Sequence, residues 1–478
     1  MRIAVIGAGW SGLAIAQVLR DCGMQVSCYE HLDDVGGTWH RSLAYAGLKT
    51  DVPLYRCEFY NFPYPDRDRN RMERISAAQM FDYCQQYARD RDLYPLISFN
   101  TSVKSLHYST ETKTCYLDLI LEDGSSSTVG PFDFVVSTQF NAPRLPKFTG
   151  QEQFSGQILH SNDVKETVVA DAIANAKKVV LLGGSKAATD IAYYLTQQGC
   201  PFTWLMRSPY WFANYNKAFY DLKTKKLAPY YLRYLHYLGM LAPLPSEWRL
   251  RVWRWVGLLH TPGTPQDDFT KFHLGWVDEE QIETLATQTH QVYDNISRLK
   301  QNSIVLDNGS EIPCDLLVCA TGCNPLEPPI ALFVDGEPIA YENITSVYRS
   351  SIIPEVPCLC FTGYFHLGVG PINGYHRAGW ILRHLENPPS VEKMKAIADT
   401  ESDDRPFFQK GPAAFDSSQN FLDRVRKAWL PFIEDGFLTR KDAQQFLKQL
   451  NVDFKLAPFS TVESFIESRR KPLCGIKN

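Results

Sequence analysis

Three glycines, Gly7, Gly9 and Gly12, lie between an apolar run and an amphipathic stretch in IAVIGAGWSGLAIAQVL, and an acidic residue, Glu30, ends the next apolar run, QVSCYE. This spacing suits a dinucleotide. Gly7 makes the turn, Gly9 lets backbone amides approach a pyrophosphate, Gly12 lets a helix pack on the strand, and the carboxylate accepts hydrogen bonds from ribose hydroxyls. The N-terminus of the following helix adds a favourable field for the phosphates, and Trp10 and Ser11 lie within the same turn. A glycine turn of some other α/β protein is the competing reading.

A second opening, VVLLGGSKAATDIAYYL from Val179, repeats the pattern with Gly183, Gly184, Ser185, Lys186, Ala187 and Ala188 in the turn. Near the position equivalent to Glu30 stands Arg207, which suits a ribose 2′-phosphate that a carboxylate would repel. Lys186 places a second cation in the turn. The expected ligand is therefore NADP rather than NAD, against the alternative that Arg207 is a solvated strand end. Two nucleotide sites of opposite character imply a resident FAD and an exchangeable NADPH. Disulfide reductases share that layout but need a redox cysteine pair, and the twelve cysteines contain no CxxC. Cys319 and Cys323 are read as structural.

The elements that must position these residues come in pairs. Each opening reads as a buried parallel strand, a turn and a helix, and each has a later return strand, at Phe134 and at Leu316. Hairpin segments at Leu121 and Leu306 precede the return strands. The expected class is α/β, with two Rossmann-like dinucleotide-binding domains, a helical insert and a helical C-terminal tail. The divisions are 1–148 and 316–400 for the FAD domain, 149–315 for the NADP domain and 401–478 for the tail. A chain of 478 residues is long enough for this, and 44% hydrophobic content argues against disorder. A net charge of −4 argues against nucleic acid as a partner. Cysteine usage and the immediate start on a strand give an expected cytoplasmic location without a signal peptide. The uncharged run from Val356 to Tyr375 is broken by prolines and glycines, so no membrane span is expected.

These residues resemble the flavin-containing monooxygenases of the two-dinucleotide type, a family that includes Baeyer–Villiger monooxygenases. Gly36-Gly37-Thr38-Trp39 is similar to the family's GG-x-W segment against the FAD, which brings in Gly37, Thr38 and Trp39. Gly47 to Pro65, containing Thr50 and Asp51, resembles the loop between flavin and nicotinamide. Phe154, Gly156 and His160 resemble the FxGxxxH motif, and Ala320-Thr321-Gly322 matches the ATG at which the chain returns to the FAD domain, assigning Thr321 and Gly322 to FAD. The resemblance covers most of residues 1 to 385. It departs at Ser185, at Val164 where an aromatic is usual, at Thr138-Gln139 where Thr-Gly is usual, and at Asp51, where heteroatom oxygenases usually carry Asn and Baeyer–Villiger enzymes often Asp.

The resemblance implies hydride transfer from NADPH to FAD, capture of O2 as a flavin C4a-peroxide or hydroperoxide, and oxygenation of a nitrogen or sulfur atom of a small molecule. Baeyer–Villiger oxygenation of a ketone, or a non-oxygenating NADPH oxidoreductase or halogenase, are the alternatives. Asp51 is the candidate catalytic residue, as a protonated donor or as the partner of Arg56 or Lys49; an exposed loop aspartate is the other reading. A helix beginning near Gly374 would aim its N-terminus at the flavin, with His366 and His376 as candidate bases or as packing. The aromatic segment at about 210–260 carries eight cations against two acids between Lys217 and Arg254. It suits a lid, an interfacial helix or an aromatic-packed subdomain. Association with further copies of the chain stays open.

Overall fold

The computed structural model describes residues 1–65, 73–138, 145–216, 259–263, 272–322, 330–362, 370–401 and 460–470, with isolated positions between 248 and 257 and between 433 and 442. Each glycine turn stands on its own five-stranded parallel sheet. The first has the order β21 (Leu359–Phe361), β7 (Phe134–Ser137), β1 (Arg2–Ile6), β2 (Gln25–Tyr29), β3 (Ile97–Ser98). The second has the order β8 (Gln157–His160), β18 (Leu316–Cys319), β9 (Val179–Leu182), β10 (Phe202–Met206), β14 (His290–Tyr293). Position by position, the two sheets have the same plan. Beside the second lies a small mixed sheet of β12 (Leu259–His260), β11 (Trp211–Asn214) and β13 (Phe272–Val277), in that order.

Both large sheets are covered on both faces, which is why their strands read as unbroken apolar runs. In β1, Ile3 and Val5 join a core with Leu13 of α1 (Trp10–Asp21), Tyr83 of α2 (Ala77–Asp90), Ile381 of α6 (Pro371–Glu386) and Met394 of α7 (Val391–Glu401). Ala4 and Ile6 face the other way, into a core with β4 (Ser102–Ser109), β5 (Thr114–Ile120), β6 (Ser126–Phe132), β19 (Ala331–Val334) and β20 (Glu337–Ile339), which form a sheet of their own. In β9, Val179 and Leu181 pack toward α3 (Glu166–Ala174), α4 (Lys186–Gln197) and α5 (Glu279–Gln288). Val180 packs instead toward β15 (Ile296–Lys300) and β16 (Ser303–Leu306), which with β17 (Glu311–Pro313) make a small antiparallel sheet. Alternation along a strand thus sorts residues between helix and sheet layers.

The expected hairpins are present: Leu121 and Ser125 close the turn between β5 and β6, and Leu306 and Ser310 close that between β16 and β17. β18 is flanked by β8 and β9 and so lies in the second sheet. The helix expected near Gly374 starts at Pro371, because Pro at the first turn needs no amide partner and Gly370, at φ 68°, supplies the left-handed cap.

The described helix of the tail packs on the first unit. In α8 (Ser460–Glu467), Val462 and Ile466 are fully buried in the same core as α1 and α6. A Cβ on Gly379 of α6 would come within 2.8 Å of Val462, so the glycine lets the helices approach. Glu386 and Arg469 form a two-pronged ion pair beside them.

Candidate functional site

At the end of β1, Gly7 takes φ 98°, and a Cβ there would lie 2.5 Å from Thr138 Oγ1. Thr138 donates its hydroxyl to the Ile6 carbonyl at 2.9 Å, buttressing the turn from the return strand. A Cβ on Gly12 would stand 2.0 Å from the Gly7 carbonyl oxygen, so the first turn of α1 can pack this close only with a glycine there. Gly9 and Gly37 lie back to back: a Cβ on Gly37 would be 2.9 Å from Gly9 Cα. The Gly36 amide donates to the Ala8 carbonyl, and Trp39 meets Trp10 edge-on at 5.3 Å. The GG-x-W segment therefore lies against the turn, with Thr38 exposed. Gly374 of α6 packs on Ser11 of α1, and Gly370 approaches the Trp10 ring and the Arg56 carbonyl. Two helix N-termini, with their partial positive charges, meet at this turn.

Glu30, at the end of β2, is 2% exposed. Its Oε2 accepts from the Ala8 amide at 2.6 Å and its Oε1 from the Leu32 amide at 3.0 Å and from His31 at 2.8 Å. Burial opposes the charge, but these hydrogen bonds outweigh it and hold the carboxyl below its ordinary range. One lone pair of Oε2 is left for a ribose hydroxyl. Bare backbone, converging helix ends and an ionised carboxylate fit an adenine dinucleotide.

The second turn is built alike. Gly183, at φ 125°, abuts the Ala320 carbonyl, and a Cβ on it would lie 2.4 Å away. The Tyr210 ring lies over Gly184, and Ala188 carries a methyl group where the first turn has Gly12. Arg207 is exposed just beyond β10, beside the turn. Thr321 and Gly322 follow β18, and the Gly322 carbonyl accepts from His160 Nε2 at 3.0 Å. Since His160 Nδ1 accepts from the Asn162 amide, the motif histidine is a fastener between the ends of β8 and β18.

The segment carrying Asp51 crosses from the first unit onto the second. Ala46 donates to the Val164 carbonyl, Gly47 packs against Tyr194 and Asp190 of α4, and buried Thr50 has its carbonyl held by Arg74 Nε at 2.6 Å. Asp51 is 52% exposed, and its cation is Lys186 at 3.2 Å, not Lys49 or Arg56. Lys186, expected at the phosphates, is the first residue of α4, and its ammonium turns one helical turn onward to Asp190 at 2.5 Å. Tyr45 and Gln281 also donate to Asp190, at 3.1 and 3.2 Å, and Arg74 pairs with Asp278 at 2.7 Å. Tyr45, Arg74, Asp190 and Asp278 have no sequence signal of their own. They are found only where the two units meet.

His376 is buried within α6. His366, Cys323, Gln139 and most of the aromatic insert lie outside the described residues. Cys319 is fully buried and its thiol is pushed up to about 12 by burial, which suits packing rather than redox work. No helix among the described residues is long and apolar enough to cross a membrane.

Three comparisons extend the picture. A probable flavin-containing monooxygenase 1 of Arabidopsis thaliana is 24% identical over 458 residues, covering 82% of this chain and 84% of that protein. The polycyclic ketone monooxygenase of Thermothelomyces thermophila superposes with a TM-score of 0.62 at 14% identity, covering 98% of this chain and 88% of the other. The S-allyl-L-cysteine S-oxygenase of Allium sativum superposes with a TM-score of 0.56 at 17% identity, over 98% and 97% of the two chains. These structures share the fold of two nucleotide-binding sheets. Residues 1–215, which hold the first turn, the Asp51 loop and the second turn, match the model of the flavin-binding monooxygenase-like proteins. By that match, which spans a little under half of the chain, and by relatives along four fifths of its length, the chain is similar to the flavin-containing monooxygenases, and these likenesses support an oxidoreductase enzyme.

Proposed function

We propose that the protein is an FAD- and NADPH-dependent monooxygenase that adds one oxygen atom from O2 to a nitrogen or sulfur atom of a small organic molecule. The observation that carries this reading is the pair of equivalent turns with opposite charge beside them, Glu30 at the first and Arg207 at the second. Gly7, Gly9, Trp10, Ser11, Gly12, Glu30, Gly37, Thr38, Trp39 and Thr50 would hold FAD, and Gly183, Gly184, Ser185, Ala187 and Arg207 NADPH, with Thr321 and Gly322 at the edge of the second turn. When bound, FAD and NADPH supply the electrons and the centre that activates O2. The chain's part is to bind, orient and keep water out. Arg207 offers a planar fork to a 2′-phosphate, and the paired helix ends at the first turn favour negative charge on the flavin side. Asp51 is assigned to the reaction's loop, since it lies on the seam between the two turns.

A carboxylate at 51 with a cation beside it also favours Baeyer–Villiger oxygenation of a ketone as the second reading. A screen of amines, sulfides and ketones for stimulated NADPH oxidation, with products read by mass, separates the two. The expected result is a mass gain of one oxygen on an amine or sulfide. Ketone-to-ester conversion alone would favour the second reading, and hydrogen peroxide release with no oxygenated product from any class would overturn both.

A further inference from the structure

We propose that Lys186 is a positioning residue that holds Asp51, and with it the loop of the first unit, across the seam, and that it is not a ligand of the nucleotide phosphates. The inference rests on the assignment of Asp51 to the reaction's loop. A cation at the first position of a helix after a glycine turn ordinarily meets phosphate. Here the ammonium is drawn away along α4 by Asp190, whose side chain is 3% exposed, and reaches back only as far as Asp51. Asp190 is itself fixed by Tyr45 from the first unit and by Gln281 from α5. Lys186 is thus locked before any nucleotide arrives, with one N–H donated to Asp190 and its charge shared with Asp51.

Two anions sharing one cation leave it little net attraction for a pyrophosphate. Asp51 by contrast lies in a stretch with neither helix nor strand, half in solvent, with the Thr50 carbonyl held by Arg74 as its anchor on one side. An ion pair between two mobile ends contributes little, but in this pair one end is buried and immobile. The position of the Asp51 carboxylate is therefore set by α4, an element of the other unit. The same pair makes the spacing of the two units and the placement of Asp51 a single variable.

The test compares FAD-loaded Lys186→Met, Lys186→Arg, Asp51→Asn and the Lys186→Met/Asp51→Asn double variant by three readouts. These are amide hydrogen exchange of residues 47–52 without nucleotide, NADP+ affinity by titration, and kcat and KM for NADPH oxidation. For Lys186→Met, exchange of the loop is expected to rise about tenfold while NADP+ affinity stays within about threefold. Its kcat is expected to fall about tenfold with KM little changed, from misplacement of the loop. Lys186→Arg should restore most of the exchange protection, and the double variant should be no slower than the worse single one. NADP+ binding weakened about tenfold with unaltered loop exchange would make Lys186 a phosphate ligand and overturn the proposal, as would fully additive losses in the double variant. Should Asp51→Asn leave kcat unchanged, the assignment of Asp51 fails by itself, and the exchange of the loop still decides whether Lys186 holds it.

Discussion

The two nucleotide units share strand order, turn and even their anchoring: the amide of Arg2 donates to Asp133 before one return strand, and the amide of Lys178 donates to Asp315 before the other. They differ in how much is fixed in advance. At the first turn a buried carboxylate is already tied to the turn's own backbone, a glycine pair is pressed together, and α6 and the tail close over α1. At the second, the charged residue beyond the strand is exposed and the only lysine of the turn is occupied elsewhere. A site assembled in this way suits a cofactor that stays, and an open one suits a cofactor that comes and goes. The same fold can therefore serve both, because the difference lies in side chains and coverage, not in topology.

The sharpest way to break this comparison is at the third position of each turn. Gly12→Ala puts a methyl group against the Gly7 carbonyl, so protein purified with this change should carry no flavin by absorbance, the largest effect expected. The reciprocal Ala188→Gly should cost only about 1 kcal/mol in urea unfolding, the ordinary penalty of glycine in a helix. A flavin-loaded Gly12→Ala protein would show that the turns are not set apart by their packing.

Next in size is the tail. Ile466→Ala empties a fully buried position against α6 and should lower unfolding free energy by about 2–5 kcal/mol, with flavin released at lower urea. Unchanged flavin release would separate the tail from the closure of the first site. Arg207→Ala should weaken NADP+ about 10–100-fold, from the loss of about 1.5–3 kcal/mol of charged hydrogen bonding, and leave NAD+ nearly unaffected by the same titration. Equal weakening of both would remove Arg207 from the 2′-phosphate.

The smallest effect concerns the charge pair at Glu30. The Glu30 carboxylate raises the pKa of His31, so the stabilisation from His31 is complete below its unfolded value of about 6.5 and is lost as pH rises through the raised folded value. Glu30 is shifted the other way, so its contribution is lost as pH falls through the depressed folded value. His31→Gln should therefore lower the melting temperature by less than about 2 °C near pH 5.5 and by nothing near pH 9, His31 being half exposed. A larger difference at pH 9 than at pH 5.5 would show that the pair does not work as described.

Much of this architecture is legible in the order of residues. Paired strands, turns and hairpins announce themselves because parallel strands covered on both faces must be apolar throughout, and tight turns need glycine. Two details are less legible. The start of α6 departs from its expected position because four glycines in the segment compete as signals, and Pro371 with Gly370 decides among them only through backbone geometry. β18 lies between β8 and β9 in the second sheet, a pairing its own sequence does not announce, because a strand's sequence does not say which neighbour it pairs with.

The partner of Asp51 is the more instructive case. Proximity along the chain points to Lys49 and Arg56, while the cation in place comes from residue 186, and nothing at Tyr45, Arg74 or Asp190 marks them in isolation. The two nucleotide turns, their opposite charges and the class of chemistry follow from the order of residues, because each depends on positions within about thirty of one another. Which lysine meets which carboxylate, where His160 fastens and how the tail covers the first unit emerge only in the folded chain. Those contacts join segments whose distance along the chain carries no information until the sheets have packed and brought them together.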